Sequence, residues 1–284
     1  MLGVDIVEEG GYISCISNNL KGTEIVLDFP SVGATENIML ASVFAEGITL
    51  IKNVAREPEI KCLQEFLNSM GANVSGAGSN TIKVKGVKQL HDTEFDVIAD
   101  RIEAGTYLCM AAATMGEITI HNISPEHISA LLHKLKQMNC KVHSFKNCVK
   151  IKTNQRLNAI NVKTMPYPGF PTDLQSQIVT TLALAKGTSI VVENIFENRY
   201  KYVSALQKMG ANITIEGKAA IIQGVNTYKS ADVEAKDLRG GAALVEAALV
   251  ADGKSNISGI EFIERGYENL VEKLTILGAK IIKQ

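Results

Sequence analysis

The chain has 284 residues, with 29 Lys plus Arg against 30 Asp plus Glu and a net charge of -1. Its length supports a sizeable core and two domains, and its charge balance gives no support for a nucleic-acid or membrane-surface partner held by bulk charge. No apolar run is long enough to span a bilayer, the start MLGVDIVEEGG lacks the basic and apolar blocks of a signal peptide, and five scattered cysteines (Cys15, Cys62, Cys109, Cys140, Cys148) without a C-x-x-C pair argue against a zinc site or a disulfide framework, so a reduced, cytoplasmic protein is the simplest expectation.

In chain order, ATENIMLASVFAEG reads as a helix that is apolar nearly all round, and ITLIKNVA alternates as a strand. EPEIKCLQEFLNSMG follows as an amphipathic helix: Pro58 suits its start, Ile60, Leu63, Phe66, Leu67 and Met70 fall on one face, and Gly71 suits its end. NVSGAG and NTIKVKGV read as two strands about a tight turn, and EFDVIA as a further strand. DRIEAGTYLCMAAATMG is a second apolar helix and EITIHNI opens the next unit.

The same material then returns. MLGVDIVEEGGYISCIS, MGANVSGAGSNTIKVKGV, MNCKVHSFKNCVKIKT, MGANITIEGKAAIIQGV and LGAKIIKQ form one series; AEGITLIKNV, TMGEITIHNI, AKGTSIVVENI and ADGKSNISGI form another. Both recur at about 70 residues, too long for an ordinary solenoid and suited to a small α/β unit used several times. The expected fold class is therefore α/β (α+β), with repeated βαβαββ-type units. The four helices ATENIMLASVFAEG, AGTYLCMAAATMG, SQIVTTLALAKG and GGAALVEAALVADG have no wet face. Such helices must be buried on all sides, which predicts inside-out lobes with helices in the middle and sheets outside.

These helices begin at matching places, with Ser31, Asp100, Thr172 and Asp237 as expected N-caps; Asp100 with Glu103 and Thr172 with Gln175 match the capping box. Free N–H groups and positive dipole ends at such starts favour anions. Before one of them stands TMPYPGFPTDLQSQ, in which Pro166, Pro168 and Pro171 stiffen the approach to Asp173. With Thr172 as cap, Asp173 is free to act as a fixed, charged acceptor; a first-turn aspartate that merely satisfies the dipole is the plainer alternative. Arg101 and Arg239 lie at helix starts, and Arg199 and Arg265 just before amphipathic helices. Each alone would suit a surface ion pair, but together they suit a multiply charged anionic substrate. His121, His127 and His133 lack metal spacing with a carboxylate, the glycine pair of LRGGAALV suits packing, and no P-loop or nucleophile-elbow motif is present.

Taken together, SVGAT, REPEI, ADRIEAGT, FPTDLQSQ, FENRY, DLRGGAALV and ERGYENL resemble the UDP-N-acetylglucosamine 1-carboxyvinyltransferase family, along essentially the whole chain. The resemblance implies two lobes of three repeated units each, an active site in the cleft between them, phosphoenolpyruvate and UDP-N-acetylglucosamine as substrates, and no cofactor or metal. It implies that Asp173 lies near the sugar 3-hydroxyl as general base. Ser31, Val32, Gly33 and Ile195 would contact the nucleotide sugar, Arg239 and Arg265 would hold phosphoenolpyruvate, and Arg199 and Arg101 would support them. The family reaction adds the sugar hydroxyl to C2 of phosphoenolpyruvate, protonates C3 and eliminates phosphate, the first committed step of peptidoglycan and cell-wall synthesis, with its consequences for cell shape and division. Against the family pattern the chain begins partway, so that an early Lys-Asn pair, further arginines and a loop carrying an acidic Cys or Asp are missing. On that alignment residues 1–98 are a partial first lobe and residues 99–284 a nearly complete second lobe. The expectation is a chain inactive unless a separate N-terminal portion is supplied, with an exposed apolar face on the incomplete lobe. A non-catalytic fragment or UDP-sugar binding module, and the sister shikimate-pathway transferase, are the alternatives.

Overall fold

The structure is a computed structural model and describes residues 2–284; Met1, where the first repeat opens, lies outside the described residues. The chain divides after Ile98 into two compact units.

In the first unit, β1 (Asp5–Glu9) and β2 (Tyr12–Ile16) form an antiparallel hairpin turned at Gly10 and Gly11, both at positive φ. Then come β3 (Glu24–Val26), α1 (Val32–Ser42), β4 (Ile48–Lys52), α2 (Pro58–Ser69), β5 (Asn73–Ser75) and β6 (Thr81–Lys85). The strands form one sheet in the order β3-β4-β6-β5, with β3 parallel to β4 and the other pairs antiparallel. Ile51, Ile82 and Val84 of the sheet pack with Met39 of α1 and with Ile60 and Leu67 of α2. Pro58 occupies the first turn of α2, and Gly71 follows its end at φ 96°, as the sequence pattern predicts.

The second unit contains α3 (Arg101–Ala113), β7 (Glu117–His121), α4 (Ser129–Gln137), β8 (Lys141–Phe145), β9 (Cys148–Lys152), β10 (Val162–Lys163), α5 (Gln175–Leu182) and β11 (Thr188–Val192). It continues with α6 (Val203–Lys208), β12 (Asn212–Glu216), β13 (Ala219–Gln223), β14 (Asp232–Glu234), α7 (Leu238–Val250), β15 (Asn256–Ser258), α8 (Ile260–Glu264) and α9 (Leu270–Ile276). Its sheets are β7-β9-β8, β10-β11-β13-β12 and β14-β15. Helices α3, α5 and α7 pack on one another inside these sheets, so buried helices surrounded by sheets are what this unit has. Every residue of α5 is buried. Close approach needs small residues: a Cβ at Gly105 would stand 2.6 Å from Leu174 Cδ1, and one at Gly241 2.6 Å from Ile263 Cγ1. The glycine pair of α7 is therefore a packing device.

Two expectations fail. Helix α1 is not buried on all sides: of its residues only Thr35, Met39 and Ser42 are buried, while Leu40 and, just past its end, Phe44 are 48% and 55% exposed. In its own unit α1 meets the sheet and α2, with no second apolar helix beside it. Residues 94–99 form no strand. In the other repeats a leading strand pairs in parallel, β3 with β4, β10 with β11 and β14 with β15. The 94–99 segment carries the chain between units instead, and its Phe95 ring meets Phe66 edge-on at 5.4 Å.

The repeat is visible in single hydrogen bonds. Gly86 N–H donates to the Gly47 carbonyl at 3.0 Å, Thr153 N–H to Gly116 at 2.9 Å and Gly224 N–H to Gly187 at 3.0 Å. A Cβ at Gly86 or Gly224 would fall 1.7 or 1.6 Å from the carbonyl oxygen of Ala45 or Ala185. Thr153 is accommodated because α3 ends differently, with Met115 at φ 52° and Gly116 N–H bonded back to Ala111 at 2.8 Å. Gly224→Ala is expected to destabilise the protein by about 1–3 kcal/mol or more, since backbone must shift to admit the methyl. Urea unfolding measures this, and a change under about 0.5 kcal/mol, the scale of an ordinary surface substitution, would contradict the packing described.

Candidate functional site

The segment before α5 is a closed turn. Met165 N–H donates to the Phe170 carbonyl at 3.0 Å and Gly169 N–H to Pro166 at 2.8 Å. It delivers Thr172–Leu174 as a single 3-10 turn, and α5 proper starts at Gln175 without a side-chain cap. Thr172 is thus not the N-cap expected of it. No N–H of the turn or of α5 donates to its hydroxyl, since the 3-10 turn inserted before α5 puts Thr172 three residues ahead of the helix; the hydroxyl donates its own proton to Glu193 Oε2 at 3.0 Å. The caps at the other three helices hold: Ser31 accepts from Ala34 N–H, Asp100 from Ile102 and Glu103 N–H, and Asp237 from Gly240 N–H. Glu103 does not close a capping box; it pairs with Lys273 at 2.8 Å.

Glu193 is the residue that the sequence pattern does not single out. It follows β11, is 4% exposed, and is surrounded by donors. Its Oε1 accepts from Thr164 Oγ1 at 2.8 Å and from the N–H groups of Ile195 and Phe196 at 2.8 and 3.0 Å. One carboxylate therefore ties the turn carrying Asp173 to the loop carrying Ile195 and Arg199. The only signal in the sequence is a glutamate directly after the apolar run IVV that closes the strand TSIVV.

Asp173 meets two arginines. Arg199 Nη2 donates to Oδ1, and Arg239 Nη2 to Oδ2 at 3.1 Å. Arg199 also donates through Nε to the Thr172 carbonyl at 3.3 Å and lies over the Phe196 ring at 4.7 Å. Arg239, in the first turn of α7, lies over Tyr267 at 5.6 Å. Both guanidinium groups are largely buried, whereas the Asp173 side chain keeps 42% of its surface. Burial works to raise its pKa, but Arg239 and then Arg199 outweigh it and hold the carboxyl below the usual carboxylate range. The result is an ionised carboxylate, reachable by solvent, fixed between two cations.

The other predicted residues stand elsewhere. Ile195 is half-buried on the Glu193 anchor. Arg101 opens α3, is buried, and lies over the Tyr167 ring at 5.7 Å. Arg265 is exposed at the end of α8 and forms no ion pair among the described residues. Ser31, Val32 and Gly33 form the start of α1 in the first unit, with Gly33 exposed. Among the described residues no group of three or more His, Cys, Asp or Glu side chains is placed to hold a metal ion, and no helix is long and apolar enough to cross a membrane.

The family described as EPSP synthase (3-phosphoshikimate 1-carboxyvinyltransferase) matches residues 1–274. A protein of Caldanaerobacter subterraneus subsp. tengcongensis, named UDP-N-acetylglucosamine 1-carboxyvinyltransferase 2, is 55% identical over 283 residues, covering 99% of this chain and 68% of its own. One from Carboxydothermus hydrogenoformans, named UDP-N-acetylglucosamine 1-carboxyvinyltransferase 1, is 49% identical, covering 99% and 67%. The chain belongs to the UDP-N-acetylglucosamine 1-carboxyvinyltransferase family. It spans about two thirds of these relatives' length, and the family is one of enolpyruvyl transferases. Among solved structures, the enolpyruvyl transferase NikO from Streptomyces tendae is similar with a TM-score of 0.88 at 23% identity, over 98% of this chain and 69% of that one. EPSP synthase from Acinetobacter baumannii is similar with a TM-score of 0.73 at 20% identity, over 98% and 68%. Those two likenesses establish the fold.

The ion triplet has a pH signature. Because the folded carboxyl of Asp173 titrates below its ordinary value, its contribution to stability is fully present above the unfolded value of about 3.9 and is lost as pH falls through the folded one. Asp173→Asn is expected to lower stability at neutral pH, with the gap to the wild type closing as pH falls from about 5 through the lowered folded value. Urea midpoints across that range test it. A gap that stays constant would mean that the ion pairs contribute nothing.

Proposed function

We propose that this chain carries much of the apparatus for transferring enolpyruvyl from phosphoenolpyruvate to the 3-hydroxyl of UDP-N-acetylglucosamine, in the cytoplasm and at the entry to peptidoglycan synthesis. The observation that carries the proposal is the ionised Asp173 between two buried guanidinium groups, in a chain that has relatives named for that reaction at 55% and 49% identity. On this reading the second unit is the nearly complete second lobe and the first unit the partial first lobe.

Asp173 as it stands is a weak base, since both oxygens are held by cations. An incoming phosphate or carboxylate competes for those guanidinium groups. Drawing one of them away raises the affinity of Asp173 for a proton at the moment the sugar hydroxyl must lose one. The hydroxyl oxygen then bonds to C2 of phosphoenolpyruvate while C3 takes up a proton. Loss of a C3 proton with departure of phosphate restores the double bond and leaves the enolpyruvyl ether. Arg239, Arg265 and Arg199 serve as the cationic donors for the phosphate and carboxylate, with Arg101 in support. Ser31, Val32, Gly33 and Ile195 serve the nucleotide sugar.

The description EPSP synthase attaches to the broad family match. Relatives at 46–55% identity carry the UDP-N-acetylglucosamine name, and this favours the sugar nucleotide over shikimate 3-phosphate as acceptor. A separate N-terminal chain finds no support in the comparisons. A non-catalytic sugar-nucleotide module remains the second reading because of the exposed apolar side of α1, at Leu40 and Phe44.

Phosphate release from the two substrates, by this chain supplemented with the portion of the Caldanaerobacter relative that it does not cover, tests the proposal. Turnover is expected, and Asp173→Asn should lower it by about a hundredfold or more. Substrate binding without turnover would favour the module reading. Gly33 gives a separate test. An added Cβ there meets nothing within 4 Å, so Gly33→Ala should leave stability equal or raise it by about 0.5–1 kcal/mol. If the sugar nucleotide lies against this helix start, the same methyl should weaken UDP-N-acetylglucosamine by about tenfold, or 1.4 kcal/mol. Unchanged affinity by calorimetry would remove Gly33 from the contact.

A further inference from the structure

Tyr267 is 1% exposed and its hydroxyl is a junction. Arg239 Nη1 donates to it at 3.3 Å and Gln177 Nε2 at 3.2 Å, and Thr106 Oγ1 lies at 3.0 Å. The proton directions are forced. A guanidinium can only donate, and the same Gln177 amide nitrogen also faces the Arg239 carbonyl at 3.4 Å, so it too is a donor. The phenol proton is left for Thr106 Oγ1, whose own proton goes to the Ile102 carbonyl at 2.9 Å. One buried oxygen thus joins α3 through Thr106, α5 through Gln177, α7 through Arg239, and the loop between α8 and α9.

The consequence falls on Arg239. A guanidinium is a rigid planar fork. Its face is set by the Tyr267 ring and its Nη1 by the Tyr267 hydroxyl. With the plane and one arm fixed, the other arm, Nη2, has one direction, and that direction ends on Asp173 Oδ2. We propose that Tyr267 is a positioning residue for the transfer site: it aims Arg239 at Asp173, and so at the anion that takes the place of that carboxylate. The relevance to transfer rests on the function proposed above; the aiming of Arg239 does not. Because the same junction holds all three central helices, the site's cation is indexed to the packing of the lobe and not to a flexible surface side chain.

Tyr267→Phe keeps the ring and removes the hydroxyl. The decisive measurement is NMR titration of the Asp173 carboxyl carbon, together with the Arg239 Nε–H signal, in the wild-type chain and the variant. With Arg239 loosened, the Asp173 midpoint is expected to rise by about half a unit or more toward its ordinary value of about 3.9, and the Arg239 signal to broaden or move. An unmoved midpoint in a variant that still unfolds cooperatively would overturn the proposal, because a purely structural tyrosine would cost stability without touching that titration. Should Tyr267→Phe not fold, the same titration is read in Thr106→Val, which takes away the acceptor of the phenol proton. A smaller rise is expected there, and none would again overturn the proposal. The titration needs no substrate. Failure of turnover with a shifted midpoint would therefore count against the proposed reaction and leave the role of Tyr267 standing.

Discussion

The structure depends on three helices having no wet side. Helices α3, α5 and α7 are rich in Ala, Gly, Ser and Thr, and this lets their backbones approach until neighbouring side chains interlock. Apolar burial drives the approach, but the contact is not wholly apolar. Thr181 on α5 donates to Glu246 on α7 at 2.6 Å in complete burial, and burial pushes the Glu246 carboxyl well above its usual range. Polar side chains inside such a contact are costly unless satisfied. They therefore fix which residues face one another, and a slide of one helix past another would break them. Register in the core sets register at the helix starts, where Asp173 and Arg239 meet.

Around that register the electrostatics are built from two layers. The inner layer is neutral or fully satisfied: the Tyr267 junction beneath Arg239, and the four bonds that Glu193 accepts beneath the Asp173 and Ile195 segments. The outer layer is charged and partly open to solvent, with Asp173 between Arg199 and Arg239. Such an arrangement suits a site that must exchange one anion for another. The guanidinium groups are positioned by groups that an incoming anion does not displace, while the carboxylate that they hold can be displaced. Pre-positioned donors of this kind stabilise charge without reorganising at the moment of reaction.

Much of this was legible in the sequence, for identifiable reasons. The repeat was readable because each unit reuses the same punctuation, a glycine after the helix and alternation in the strands. The matching bonds at Gly86, Thr153 and Gly224 are its structural counterpart. The caps Ser31, Asp100 and Asp237 were readable because capping is local. Thr172 is no cap because a 3-10 turn stands between it and α5, and its bond to Glu193 is to a residue distant in sequence and close in space. Glu193 and Tyr267 escape a sequence reading because, apart from the local bonds of Glu193 to Ile195 and Phe196, their partners lie between 21 and 161 residues away, and no spacing rule reports those. The strand expected at residues 94–99 failed on a further point. Alternation says that a segment can be a strand, but a strand exists only where a neighbouring edge receives it.

Helix α1 draws the same distinction for burial. Its composition resembles that of α3, α5 and α7, and by pattern alone it belongs in a core. Yet Leu40 and Phe44 stay exposed, because in its own unit α1 has the sheet and one amphipathic helix to lean on, whereas each central helix of the second unit has two others of its own kind. An all-round apolar pattern therefore describes how many sides a helix could bury. The number that it does bury is set by how many equivalent repeats pack their helices against it, and for α1 the repeats of its own unit leave one side uncovered.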